Sequence, residues 1–86
     1  MDRFDNVKEL AGFMGIEYSQ QVKWINDEIS NWLACGNSSI VDDIYKEPAC
    51  TFQVNFECRS FYIGVTEICV DEEYGAYKVF YWIEEV

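Results

Sequence analysis

Alternation of apolar and polar positions is clearest in the last third of the chain. It predicts a three-stranded antiparallel meander over about 50–57, 60–70 and 76–84. Phe52, Val54 and Phe56 alternate with Thr51, Gln53, Asn55 and Glu57, and Phe61, Ile63 and Val65 then alternate with Tyr62, Gly64 and Thr66. A two-residue turn at Cys58-Arg59 pairs Phe56 with Phe61, Val54 with Ile63 and Phe52 with Val65. A one-residue slip would send both apolar sets to the wrong faces. Cys-Arg lacks the turn preference of Asn-Gly, so the pattern sets the register, and another turn of the same parity would keep the faces. The polar run Asp71-Glu72-Glu73-Tyr74-Gly75 makes the second turn. Tyr77, Val79, Tyr81 and Ile83 then share a face with Ile63 and Val65.

Helical spacing dominates the first half. Phe4, Val7, Leu10, Ala11 and Met14 recur at steps of three and four, which predicts a helix over about 2–14 with Asp2 as its cap and Gly12 and Gly15 weakening its end. Val22, Ile25, Ile29, Trp32 and Leu33 predict a second over 19–35, opened by Ser19 and closed by Gly36-Asn37. Residues 39–46 read as a short third helix, with Ser39 and Asp42 in a capping arrangement and Pro48 as the stop. A short edge strand is the alternative, because Ile40, Val41, Ile44 and Tyr45 are β-branched or aromatic. The expected architecture is an α+β domain spanning 1–86, with two N-terminal helices, and this short third one, packed on the antiparallel meander.

The meander leaves an anomaly. The face turned from the helices should be polar, yet it carries Tyr62, Phe80, Trp82 and Ile68 beside Lys78 and Glu84. Either the first helix, residues 38–48 or a second copy of the chain covers these rings, or they stay exposed and anchor a partner. Under the covered reading Gly64 leaves room for the neighbouring indole.

Composition narrows the chemistry. The chain has 86 residues, 16 acids, 6 bases and no histidine, a net charge of −10. Such a field disfavours direct contact with nucleic acid or anionic membrane and favours a basic partner. Without histidine, and with no glycine-rich phosphate loop, nothing marks an enzyme: no catalytic residue and no cofactor is expected. Cys35, Cys50, Cys58 and Cys69 read as reduced thiols of a cytoplasmic protein, with two disulfides the alternative. They lack the paired spacing of a zinc site. Asp71-Glu72-Glu73 lacks the alternate spacing of a calcium loop, so no metal is expected.

A −10 charge on so short a chain, the absence of histidine and cofactor motifs, and the clusters Asp42-Asp43, Asp71-Glu72-Glu73 and Glu84-Glu85 give a general character that resembles small phage-encoded inhibitors, including anti-CRISPR and DNA-mimic antirestriction proteins. The resemblance implies stoichiometric inhibition of a nucleic-acid-handling complex, such as a CRISPR-Cas effector, in the host cytoplasm. The expected partner-binding residues are Tyr62, Phe80 and Trp82 as apolar anchors, with Glu57, Glu84, Glu85, Asp71, Glu72, Glu73, Asp42 and Asp43 supplying charge. A toxin-neutralising immunity protein or antitoxin, or a homodimeric accessory domain, fits the same composition.

Overall fold

A computed structural model describes residues 1–86. The chain forms β1 (Asp2–Phe4), α1 (Val7–Met14), α2 (Ser19–Ala34), β2 (Ser39–Val41), β3 (Phe52–Phe56), β4 (Arg59–Asp71) and β5 (Ala76–Glu85). The five strands make one sheet centred on β4. β5 lies antiparallel along one edge of β4, and β1 lies antiparallel outside β5. The other edge of β4 is shared: β3 pairs antiparallel with its first part, and β2 runs parallel to Thr66–Ile68. Both helices pack on one face.

The expected three-stranded, wholly antiparallel sheet is therefore corrected to a five-stranded mixed one. Its two additional strands come from stretches read as helix. Asp2 caps nothing. Residues 2–4 instead pair with Ile83, Trp82 and Tyr81, satisfying backbone groups that would otherwise line an open edge. α1 starts only after Asn6, an extended residue (φ −149°) whose side chain accepts a 2.9 Å hydrogen bond from the Glu9 N–H. Gly15, at φ +84°, ends it in the left-handed conformation.

The short third helix over 39–46 is likewise absent. Ser39 does not cap; its hydroxyl accepts from the Ala49 N–H at 3.0 Å, while Ser39–Val41 extend along β4. Asp43 then accepts a 2.8 Å bond from the Tyr45 N–H and turns the chain back.

Within the meander the turn falls at Glu57-Cys58, whose φ angles of +50° and +64° match a type I′ hairpin turn. Phe56 accordingly faces Arg59, Val54 faces Phe61 and Phe52 faces Ile63, replacing the pairs expected from a Cys58-Arg59 turn. The shift is by two positions, so every apolar side chain keeps its face.

Leu10, Ala11 and Met14 of α1 and Ile25 and Ile29 of α2 close over Val54, Phe61, Ile63, Val65 and Ile83, all buried. Burial of each large side chain contributes about 1.5–3 kcal/mol. Aromatic rings extend this core, with Phe13 edge-on to Phe61 at 6.3 Å and Trp32 beside Phe52 at 5.0 Å.

Candidate functional site

The sheet face opposite the helices is covered by the chain itself. Residues 42–50 cross it between β2 and β3. Pro48 sits where a side chain at position 64 would be: a Cβ on Gly64 would come within 2.3 Å of the Pro48 ring and 2.9 Å of the Cys50 carbonyl oxygen. The glycine thus leaves room for a proline and a backbone turn, where the sequence suggested an indole.

Arg3 pins this cover from the neighbouring strand. Its guanidinium carbon lies 4.7 Å from the Phe80 ring centroid, 5.9 Å from Trp82 and 5.5 Å from Tyr45. It also donates to the Ile44 carbonyl. The Met1 amino group donates to Glu47 at 3.0 Å, raising the amine's pKa through that hydrogen bond. Beneath the cover, the Trp82 indole N–H donates to the buried Thr66 hydroxyl at 2.8 Å.

Phe80 and Trp82 are 4% and 5% exposed, so the apolar anchors expected there are part of the packed interior. Only Tyr62, at 36%, reaches solvent. A homodimer face built on these rings is closed off for the same reason.

The acidic residues expected to meet a partner divide between the two ends of the sheet. At one end Glu57 occupies the β3–β4 turn, and Glu84 lies opposite Tyr62. Glu85 is engaged: Arg59 donates to both its oxygens, at 2.8 and 2.9 Å, and to the Met14 carbonyl at 3.1 Å. That hydrogen bond holds the Glu85 carboxyl below its ordinary pKa and the guanidinium above its own.

The other end gathers two runs that are remote in sequence. Asp42-Asp43 follow Val41, which pairs with Ile68, and Asp71-Glu72-Glu73 follow three residues beyond Ile68 on β4. Parallel pairing of β2 with β4 is what brings them to the same tip. Asp71 stabilises the turn by accepting from the Glu73 and Tyr74 N–H groups at 3.1 and 3.4 Å.

Apolar side chains stand exposed among these acids. Ile40 is 70% exposed, Val70 62%, Tyr74 80% and Tyr77 50%. Neither helix reaches them. The 13 residues of β4 extend roughly 40 Å, whereas the 16 of α2 cover roughly 24 Å. The chain leaves α2 through Gly36 (φ +77°) and enters β2 opposite Thr66, so the helix layer stops at mid-sheet. Tyr77, expected in the core, lies on the overhang. The mismatch of element lengths was the signal in the sequence that could have found it.

One depression marks the opposite end, lined by Gln20, Gln21, Trp24, Asn55, Phe56 and Glu57. The four cysteines are unpaired, and no three His, Cys, Asp or Glu side chains converge to hold a metal ion. No helix is long and apolar enough to cross a membrane. No protein-family model matches the chain, and no curated protein or solved structure matches it.

Proposed function

We propose that the protein is a stoichiometric binder that uses its acidic sheet tip to occupy a basic, nucleic-acid-binding surface on a partner, such as a nuclease or a nucleic-acid-guided defence complex. The observation that carries this reading is the placement of Asp42-Asp43 and Asp71-Glu72-Glu73 toward the same end of β4, where Tyr74 and Tyr77 are also exposed. Carboxylates spaced along a projecting ribbon resemble phosphate charge to a basic groove, and the tyrosines add apolar contact area. Of the sixteen acids, Asp5, Glu47 and Glu85 meet a cation within 4.0 Å, and the other thirteen do not. Their charge is therefore available to a partner.

The test is capture of the partner from the native host, followed by titration with salt and with competing nucleic acid. Asp42→Lys, Glu72→Lys and Glu73→Lys are the informative changes, because those side chains hold no turn, unlike Asp43 and Asp71. The triple variant is expected to fold normally and to bind about ten-fold or more weaker, with a flatter salt dependence. A partner lacking a basic surface, or binding indifferent to salt, overturns the proposal.

A further inference from the structure

Trp24 on α2 and Phe56 at the end of β3 lie side by side, with ring centroids 6.3 Å apart and planes 29° apart. Together with Gln20, Gln21, Asn55 and Glu57 they line an open depression of about 470 Å³. Trp24 is 37% exposed there, which leaves part of its ring open to a ligand. We infer that this depression is a binding site for an arginine side chain of a partner protein, with the guanidinium lying on the Trp24 indole and paired to the Glu57 carboxylate.

The chain contains its own template for that chemistry. The Arg59 guanidinium carbon lies 4.9 Å from the Phe61 ring centroid while the group donates to both oxygens of Glu85. Trp24, Phe56 and Glu57 likewise bring ring surface and a carboxylate to one depression, and Glu57 forms no ion pair within the chain. Lys23, next to Trp24 on α2, forms no ion pair within 4.0 Å. Arg59 feels the Glu57 charge, but its guanidinium is committed to Glu85 and the Met14 carbonyl.

Arginine suits the site better than lysine. Its planar guanidinium stacks on an aromatic face and still presents N–H groups in the ring plane, which the amide oxygens of Gln20 and Gln21 can accept. The dipole at the start of α2 opposes a cation near Gln20 and Gln21 in the first turn, so the attraction must come from the Trp24 ring, which lies beyond that turn, and from the Glu57 carboxylate. Asn55 is already engaged, its amide oxygen accepting from Ser60 and Gln53, which fixes that wall.

The turn beside the site points the same way. Glu57 and Cys58 both hold left-handed backbone angles that non-glycine residues adopt only at a cost in stability, and Asn-Gly would satisfy them better. A carboxylate thus stands at a turn position where the backbone favours asparagine.

This contrast makes a direct test. Indole N–H signals would be followed by NMR at low salt during titration with N-acetyl-arginine amide, and separately with the lysine and citrulline counterparts. A saturable shift confined to Trp24 and its neighbours is expected with arginine, several-fold weaker binding with lysine, and none with the uncharged citrulline. Glu57→Gln should abolish the Trp24 shift, and Trp24→Ala, which removes that reporter, should abolish the accompanying shifts of the neighbouring Asn55, Phe56 and Glu57 backbone amides. In the double variant Glu57→Asn, Cys58→Gly the melting temperature should rise while arginine affinity falls about five-fold or more, so lost binding cannot be ascribed to lost folding. Equal shifts with citrulline, shifts centred on the acidic tip, or undiminished binding by the double variant would overturn the site. The inference rests on the proposed basic partner only for its biological occupant. The titration uses no partner, so its failure leaves the tip reading standing, and failure at the tip leaves this site.

Discussion

A single absent side chain shapes the sheet face that looked most like a contact surface. At Gly64 the ring of Pro48 and the backbone of Cys50 occupy the volume of a Cβ, so any larger residue must displace the cover. Gly64→Ala is expected to destabilise the fold by about 1–3 kcal/mol, measured by urea unfolding, although alanine ordinarily favours a strand over glycine. An unchanged or raised midpoint would show that residues 48–50 do not pack there. Thr66 makes a related point. It looked like one more polar position on an outward face, yet it is fully buried and accepts the Trp82 indole N–H. Alternation identifies which residues share a face; it does not say whether that face is wet.

At the scale of elements, what the sequence disclosed and what it concealed follow from how each element is stabilised. α2, β3, β4 and β5 are long enough to show a period, and burial of one side enforces that period. β1 and β2 are three residues each, too short to carry one. They are strands because β5 and β4 offer open edges, which is a property of the assembled sheet. The same holds for the segment 42–50. No local pattern announces a cover, but Arg3, placed by β1 opposite Trp82, holds it by a cation–π contact with Tyr45 and a hydrogen bond to the Ile44 carbonyl. Arg3→Ala should loosen this segment without unfolding the helix face. The Trp82 indole N–H should then exchange with solvent about ten-fold or more faster, while amide protons of α2 keep their protection. Equal acceleration in both places would mean that the cover and the core form one cooperative unit. The proposed site was legible to a similar degree. The acid clusters could be read directly, but the convergence of Asp42-Asp43 with Asp71–Glu73 depends on β2, and so did not show.

At the scale of the whole molecule, charge and shape work together. The fold measures 43 × 24 × 22 Å, its long axis set by the β4–β5 ribbon, and its −10 charge is little offset by internal pairing. Carboxylates without cationic partners repel one another more when the chain is compact than when it is unfolded. Raising sodium chloride from about 0.02 to 0.5 M, enough to shorten the screening length from tens of ångströms to a few, should therefore raise the melting temperature by several degrees. A flat or falling midpoint would mean that the Arg59–Glu85 and Lys78–Asp5 pairs outweigh the repulsion. With the expected rise, stability and partner binding respond to salt in opposite directions, which separates an effect on the fold from an effect on recognition.

The pairing of β1 with β5 joins Asp2 to Ile83, nearly opposite ends of the chain. Its consequence lies in time. The α1–α2 pair and the β4–β5 hairpin can form early from neighbouring residues, but β1 has no partner until β5 exists, and Arg3 cannot clasp the cover until β1 is in place. Closing so long a loop is the slowest kind of contact for a small fold. The clasp of Arg3 over Phe80 and Trp82 is thus expected to form late in folding, after the β4–β5 hairpin that presents those rings.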